Sequence, residues 1–409
     1  MYKDLFIRFL KSNFIKTFIV LNLLFLGLIL INLIPNSFIY KNLCESAEYY
    51  NTYSDSIFKS GSEPGGDLNQ LNIMMNVDTK RPIYSALIDP IYGETGGFRD
   101  ANNGYTTIIN KAKANNDYSR YWHGCQIIYR PLLMVFNTQQ IMTLLWGIYA
   151  ILLVVVANSL RSKYDKYSIL AFLLMNIVFI LPVGFRSITY IPLYFIMILG
   201  VYLVSNTKLS PVYIFSLLGL LVSFFDFLTV ETLTITVPMV FYIYIKNKEE
   251  SLKIKNCIKC GVSWLFWYSF AYIYKWTIAT VAYNQNYFKK AIEEITKYKS
   301  MFGRQMSFKI NINNLFFGVV SYNTSYYFII ISAIVLLIAL YLFRKEGTEK
   351  CLICIIAVCL VPYLRYLVLA GHSYEHAYFE YRAQIVLLPA IVMLIYIALG
   401  RQRGVDKNK

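Results

Sequence analysis

The sequence predicts an all-α polytopic membrane protein with about ten transmembrane helices and a large first extracytoplasmic loop. Of the 409 residues, 57% are hydrophobic and only 15% are charged, whereas soluble domains carry about 25% charged residues. Apolar runs of about 20 residues recur along the chain, and each is long enough to cross the hydrocarbon core of a bilayer. The net charge of +16 lies mainly in short segments between these runs, as in cytoplasmic loops.

The apolar runs predict ten spans, at residues 17–34, 139–160, 168–185, 188–205, 212–226, 230–246, 261–283, 325–343, 351–370 and 383–400. With both termini in the cytoplasm, the inner segments hold 20 Lys and Arg against seven Asp and Glu. This bias predicts a multi-pass plasma-membrane protein with both termini inside. The first run lacks a small-residue cleavage site after it, which favours a retained span over a signal peptide.

Charge and hydropathy divide the chain into five parts. These are a cytoplasmic segment with the first span (1–34), an extracytoplasmic loop or subdomain (35–138), spans 2 to 7 (139–283), a second extracytoplasmic loop (284–324), and spans 8 to 10 with a basic tail (325–409). In the second loop, apolar residues recur at helical spacing from Phe288 to Phe302, which predicts an amphipathic helix in the outer interface. Because topology explains the basic charge, nucleic acid is not an expected partner.

Cysteines lie near both faces of the predicted membrane. Cys44 and Cys125 stand at the two ends of the first outer loop, in a compartment that permits a disulfide, although pairing cannot be read from sequence alone. The inner face has two Cys-x-x-Cys pairs, at 257–260 and 351–354, a spacing that suits zinc. Buried cysteines more often act as small apolar side chains, and we favour that interpretation here.

The charged groups in or beside the spans share the outer side of the membrane. Ionisable residues at membrane depth are expensive and usually functional, although a single one is also compatible with a snorkelling side chain or a local ion pair. The outer set comprises Arg186, Asp226, Glu231, Lys275, Arg365, His372, Glu375, His376, Glu380 and Arg382. A proton or ion pathway would spread such groups through the membrane depth. The distribution therefore predicts a site that opens at the outer leaflet.

These side chains suit a phosphorylated and hydroxylated ligand. Arg and Lys bind phosphate well, and carboxylates act as general bases towards a hydroxyl. Tyr and Trp offer stacking faces for sugars, as around His123 in the stretch "SRYWHG". The stretch from His372 to His376 also matches H-x-x-E-H, a zinc-protease pattern, with Glu380 or an outer-loop acid as third ligand. The alternative is a polar outer loop whose histidines and glutamates hydrogen-bond the substrate. The zinc-like pattern makes a divalent cation the one cofactor that the sequence suggests.

The layout resembles the GT-C superfamily of membrane glycosyltransferases, and most closely the bacterial enzymes that use polyprenyl-phosphate sugars. The shared features are one long outer loop directly after span 1, acidic residues near its start ("CESAEYYN"), about ten spans and basic residues near the outer face. The resemblance implies that Glu45 or Glu48 is the catalytic base. It also implies that Lys275, Arg365, Arg382 and Arg186 hold the lipid phosphate. The Asp-Asp or Asp-Glu pair of several GT-C branches is absent here.

The expected function is therefore inverting transfer of a sugar from a polyprenyl-phosphate donor to a glycan or lipid-linked acceptor at the outer face of the bilayer. Six further residues would orient the sugar or a divalent cation: Asp226, Glu231, His123, His372, Glu375 and His376. A polysaccharide polymerase or ligase is an alternative, but it usually has its large outer loop late in the chain. A flippase or transporter is another alternative, and it predicts internal repeats and polar residues across the membrane depth.

Overall fold

The computed structural model describes residues 12–59, 64–88, 91–92, 101–112, 115–180, 185–300 and 349–405. Within these ranges the chain is helical, apart from turns and one short antiparallel ladder between β1 (Ile91–Tyr92) and β2 (Asn116–Asp117). The predicted all-α class is therefore confirmed for the part of the chain that the structure describes.

Two of the described helices are long and apolar enough to cross a membrane, and they coincide with the first two predicted spans. Helix α1 (Asn13–Ile31) begins at Ser12, whose side chain accepts a hydrogen bond from the N–H of Ile15. The second of these helices begins with a capping box formed by Asn137 and Gln140, an arrangement that satisfies two otherwise unpaired N–H groups. The ten-span layout as a whole remains a prediction, and span 8 lies outside the described residues.

The first predicted outer loop is built of short helices. They are α2 (Asn36–Lys59), α3 (Pro64–Met75), α4 (Pro82–Leu87), α5 (Ala101–Ile109) and α6 (Gln126–Leu133). The residues "PGGD", a composition typical of turns, begin helix α3, since proline is well tolerated in the first turn of a helix. Leu43 and Leu68 of these helices share one buried hydrophobic cluster with Leu21 of α1. The segment therefore packs directly against the apolar helices.

The remaining helices lie both in the predicted apolar runs and in the predicted outer segments. They are α7 (Thr138–Lys163), α8 (Lys166–Met175) with a π-turn at Asn176–Ile180, α9 (Ile191–Asn206), α10 (Pro211–Phe225), α11 (Leu233–Lys248), α12 (Ile254–Tyr283), α13 (Tyr287–Ser300), α14 (Glu349–Val368), α15 (Ala370–Glu375), α16 (Ala377–Glu380), a 3-10 turn at Tyr381–Val386, and α17 (Leu387–Val405). Helix α13 covers most of the predicted amphipathic helix. Its predicted end at Phe302 lies outside the described residues.

The side chain of Arg130 connects helices α1, α2 and α3. Its guanidinium is fully buried and donates to the backbone oxygens of Ile31, Ile34 and Met74 and to the side chain of Asn36. The last carbonyls of a helix have no intrahelical partner, and two of these acceptors close α1 and α3. Burial lowers the pKa of Arg130 to about 10, so the group remains charged at neutral pH.

The structure has no disulfide between Cys44 and Cys125, a pairing that the sequence left open. Both residues are free thiols, and Cys125 Sγ donates a hydrogen bond of 2.6 Å to Oε1 of Gln70. Cys44 lies on helix α2 near Tyr40 instead. The ends of the segment are joined by other contacts, such as the bond of 2.8 Å from the side chain of Asn42 to the carbonyl of Leu133.

Candidate functional site

A polar cavity of about 140 Å³ lies where five segments of the chain meet. Its walls come from residues 66–73 of α3, 118–123, Thr189, 227–229 and 372–379. The cavity is lined by all three histidines of the chain, His123, His372 and His376. The sequence predicted that each of them orients the sugar or a divalent cation, and the structure brings them to one cavity.

Helix α12 holds the 118–123 wall in place through its side chains. Trp122 Nε1 donates to the carbonyl of Ala271 across 3.0 Å, and Trp276 Nε1 donates to the carbonyl of Arg120 across 3.1 Å. The fully buried amine of Lys275 donates to the carbonyl of Tyr121. Lys275, which the resemblance implies as a phosphate ligand, thus supports the wall from behind and does not line the cavity.

The cavity wall contains unusual backbone geometry. His123 and Leu228 both have positive φ angles, of 54° and 62°, a region that residues other than glycine rarely adopt. The next residue, Gly124, donates its N–H to the carbonyl of Phe224 across 3.0 Å, and a Cβ atom there would collide with Phe224. Strained residues concentrate at functional sites, which supports a functional role for this cavity.

Two amide side chains on α3 present hydrogen-bonding atoms in the cavity wall. Within the described residues, Oδ1 of Asn69 and Nε2 of Gln70 are buried without a hydrogen-bond partner. Buried polar atoms are nearly always paired, so a ligand or water is expected to complete them. The faces of Tyr118, Tyr121 and Phe227 complete this part of the wall, which therefore combines the aromatic and polar contacts that sugars use.

Next to the cavity, Arg365 of α14 organises a buried ion cluster. Its Nε and Nη2 bind the carboxylate of Glu231 across 2.6 and 3.1 Å, and its Nη1 binds Glu380 and, across 3.2 Å, the hydroxyl of Ser373. The remaining donor reaches the carbonyl of Leu228 across 3.1 Å. An arginine has five N–H donors, and these five contacts use all of them. A phosphate could bind Arg365 only by displacing one of these partners.

His372 extends this cluster to the cavity wall. Its Nδ1 lies 3.0 Å from Oε1 of Glu380. Burial and the charge of Arg365 lower the pKa of His372 to about 3, so the imidazole is neutral at neutral pH. Burial raises the pKa of Glu380 well above its ordinary range, although the charge of Arg365 opposes that shift. Burial likewise holds the pKa of His376 and of His123 well below the ordinary histidine value.

Asp67 was not identified from the sequence. It is fully buried on α3 and accepts hydrogen bonds from Ser187 Oγ (2.8 Å), Thr189 N and Oγ1 (3.0 and 2.7 Å) and Tyr50 Oη (2.8 Å). Burial raises its pKa to about 6 even though these donors stabilise the ionised form. Asp67 therefore fixes Thr189, a wall residue, to helix α3. Its sequence neighbourhood, "SGSEPGGD", is typical of a turn and gives no signal of burial.

Asp226 and Arg382 lie beside the site without lining the cavity. Asp226 is buried and accepts hydrogen bonds from the N–H (2.9 Å) and the hydroxyl of Thr229, and burial raises its pKa to about 7. The guanidinium of Arg382 is fully buried, stacks 4.6 Å from the ring of Tyr190 and lies 3.5 Å from Oη of Tyr194.

An apolar groove of about 630 Å³ runs between helices α7, α9 and α10. Its lining extends from Tyr129 and Ile191, at the end near the cavity, to Tyr202 in the last turn of α9. At a rise of about 1.5 Å per residue, the part along α9 is roughly 17 Å long, about half of a bilayer's hydrocarbon core.

The groove and the cavity adjoin at two points of the chain. Thr189 lines the cavity and Ile191 lines the groove, and in the same way Phe227 lines the cavity and Phe225 lines the groove. Two residues span at most about 7 Å, so at both points the Cα atom of a residue that lines the groove lies within that distance of the Cα atom of a residue that lines the cavity.

The structure does not bring every predicted residue to this site. Glu45 and Glu48 lie on the exposed side of helix α2, where Glu45 accepts a bond of 3.4 Å from Asn137 and lies 3.9 Å from Lys41. Arg186 is exposed beside the Asp67 network. The side chain of Glu375 lies outside the described residues. Arg120, which was not selected from the sequence, lines the cavity, and its guanidinium lies 4.4 Å from the ring centre of Tyr118.

No group of three or more His, Cys, Asp or Glu side chains in the described ranges is arranged to hold a metal ion. The zinc interpretations of H-x-x-E-H and of the two Cys-x-x-Cys pairs therefore gain no support from the geometry.

Comparison with known proteins found no matching family model, no matching curated protein and no matching solved structure.

Proposed function

We propose that the chain is a membrane glycosyltransferase that takes a sugar from a polyprenyl-phosphate donor and transfers it to a hydroxyl of a glycan or lipid-linked acceptor. The observation that carries the proposal is the meeting of an apolar groove with a polar cavity within about two residues of chain, at Thr189–Ile191 and at Phe225–Phe227. A lipid-linked sugar has the same division, with a long apolar tail and a polar headgroup.

The cavity supports the sugar end of this proposal. Its aromatic walls, the amides of Asn69 and Gln70 and the hydroxyls of Thr189 and Thr229 match a ligand with several hydroxyl groups. Its volume of about 140 Å³ is below the usual 300–1,000 Å³ of sites that enclose a drug-sized molecule. It therefore suits one small polar group and excludes a large one.

The groove supports the lipid end. Its walls are aliphatic and aromatic, and its helix α7 exposes Val154 and Ile151 at about two thirds of their surface. Such apolar exposure is unfavourable in water, where extensive apolar patches mark binding or membrane surfaces. A polyprenyl chain would enter sideways from the bilayer and place its phosphate near the cavity.

Arg120 is the charged side chain best placed for that phosphate. It lies in the cavity wall, packed against the rings of Tyr118 and Tyr121 at 4.4 and 5.1 Å, which hold the planar guanidinium in one orientation. Arginine binds phosphate with two parallel hydrogen bonds. Arg365 donates to two carboxylates and does not line the cavity.

The test is sugar transfer in proteoliposomes supplied with a panel of labelled polyprenyl-phosphate sugars and lipid-linked acceptors. Arg120→Gln and Asn69→Ala should each raise the KM for the donor by about tenfold or more, the cost of one lost hydrogen bond to a charged or polar ligand group. Arg161→Gln, an exposed residue at the far end of α7, serves as the matched control and should have no effect.

Three results would contradict the proposal. Movement of the labelled lipid-linked saccharide across the bilayer without transfer would identify a transporter. Extension of a polymer from one lipid-linked repeat unit would identify a polymerase. Transfer that is unchanged in both cavity variants would place the sugar site elsewhere in the chain.

A further inference from the structure

We infer that the pair formed by His372 and Glu380 accepts the proton from the attacking hydroxyl, in place of the exposed carboxylates of α2. This inference rests on the proposed function. His372 lines the cavity, and its Nδ1 lies 3.0 Å from Oε1 of Glu380, which is itself buried behind the wall. An imidazole that lines a substrate cavity and is bound to a carboxylate through one ring nitrogen has the arrangement of a general base.

The charge of the cluster favours uptake of one proton. Glu231 and Glu380 share the single guanidinium of Arg365, and all three are at least nine-tenths buried. Two carboxylates and one guanidinium leave one excess negative charge, and burial disfavours an excess charge. The same region also contains Asp226, whose pKa burial raises to about 7, and Arg120, which adds positive charge on the cavity side.

The proton moves in two linked transfers. In the reactive state Nδ1–H of His372 donates to the ionised Glu380, so Nε2 carries the lone pair of the ring. As the acceptor oxygen bonds to the anomeric carbon, Nε2 takes the proton of the acceptor hydroxyl, and the Nδ1 proton passes to Glu380. The bond between the anomeric carbon and the phosphate oxygen breaks, and the phosphate leaves with that electron pair. The imidazole is neutral before and after, which agrees with its burial.

The exposed carboxylates of α2 and the buried residues around Arg365 have different roles. Glu45 and Glu48 are exposed on α2 and do not line the cavity, so neither contacts a hydroxyl bound there. Arg365 and Glu231 are positioning residues, because they act on the substrate only through Glu380. Ser373 accepts a hydrogen bond of 3.2 Å from Arg365 and does not line the cavity.

The first test is nitrogen NMR of the full-length wild-type protein labelled at histidine, in which only three imidazole rings, each with two nitrogen signals, need to be assigned. Single substitutions at His123 and His376 assign them. From about pH 9 to about pH 5, His372 should change from the Nδ1–H to the Nε2–H tautomer without becoming an imidazolium. A tautomer that stays constant, or a ring that becomes charged, would overturn the assignment, and this result does not depend on any transferase activity.

The second test is kinetic. His372→Ala should lower kcat by about 10²–10⁴-fold, the usual contribution of a general base, and added imidazole should restore at least part of that loss by entering the vacated space. Glu45→Gln and Glu48→Gln should retain transfer, and a residue with a merely structural role would show no rescue. Undiminished kcat in His372→Ala, with transfer lost in Glu45→Gln or Glu48→Gln, would return the base to α2. Absence of transfer in the wild type would contradict the proposed function instead.

Discussion

Arg365 and Glu231 form a buried bidentate ion pair in which Nε lies 2.6 Å from Oε1 and Nη2 lies 3.1 Å from Oε2. The pair joins helix α14 to the turn before α11, and its second carboxylate partner, Glu380, joins both to the last helices. Residues separated by more than 130 positions in sequence are thereby held at one point beside the cavity.

Removal of Arg365 alone should therefore destabilise the protein strongly. Arg365→Leu leaves two buried carboxylates without a counter-charge, a change that typically costs about 3–5 kcal/mol. The triple variant with Arg365, Glu231 and Glu380 all replaced by Leu removes every unpaired charge and should recover most of that loss. Thermal unfolding in detergent measures both, with Arg186→Leu as an exposed control. A triple variant as unstable as Arg365→Leu would contradict the ion-pair explanation.

Asp226 should make stability fall as the pH rises. Burial, with Glu231 adding to it, raises the pKa of this carboxyl to about 7, above the value of about 3.9 in an unfolded chain. The folded state therefore binds the proton more tightly, and the stability present below about pH 4 is lost as the pH rises through about 7. Asp226→Asn stays neutral, so its unfolding temperature should exceed that of the wild type at pH 8 but not at pH 4.

Asp78 provides a matched control for the pH-dependent loss of stability expected from Asp226. A difference of about three pKa units corresponds to at most about 4 kcal/mol. Asp78 pairs with Arg81, which lowers its pKa, so Asp78→Asn should show no stabilisation at high pH. If Asp226→Asn and the wild type keep the same difference in unfolding temperature at every pH, the carboxyl does not titrate as described.

Lys275 should act on the site by fixing the 118–123 wall. Its amine and the indole of Trp276 bind the neighbouring carbonyls of Tyr121 and Arg120. Lys275→Met should therefore speed trypsin cleavage after Arg120 by about tenfold, equivalent to about 1.4 kcal/mol of lost local stability. Thr277→Ala, whose hydroxyl bonds only within α12, is the matched control. If Lys275→Met and Thr277→Ala are cleaved at equal rates, and Lys275→Met raises the KM for phosphate-bearing donors, Lys275 binds the phosphate directly instead.

Sequence reasoning predicted the elements of this fold better than their contacts. Apolar runs and caps are local features, so α1 and α7 were located within a few residues. The grouping of Glu231, Arg365, His372 and Glu380 on one side also followed from topology, because costly charges in apolar segments must share partners. Which carboxylate binds which cation depends on tertiary packing, and no spacing in the sequence predicts it.

The same limitation explains the residues that were missed. Asp67 and Asn69 follow "SGSEPGG", whose composition is typical of a turn, and only the burial of helix α3 shows that they face the interior. Arg120 lies in a stretch that was quoted for its aromatic residues. In contrast, Glu45 and Glu48 were predicted to be the base from their position shortly after span 1. That position does not determine which side of α2 faces the cavity, and both carboxylates lie on the exposed side.

The apolar groove gives the most direct test of a lipid-linked substrate, because α7 has one exposed apolar residue that lines the groove and another that does not. Val155 lines the groove and is about half exposed, whereas Ile151, one turn earlier on α7, is exposed but does not line it. Val155→Trp fills the groove and should raise the KM for a long-chain polyprenyl donor by about tenfold. It should leave a donor with a truncated lipid tail almost unaffected, because binding energy from the tail is already missing there. Ile151→Trp should change neither value. If both tryptophan variants weaken both donors equally, the effect comes from altered helix packing, and the lipid tail binds elsewhere.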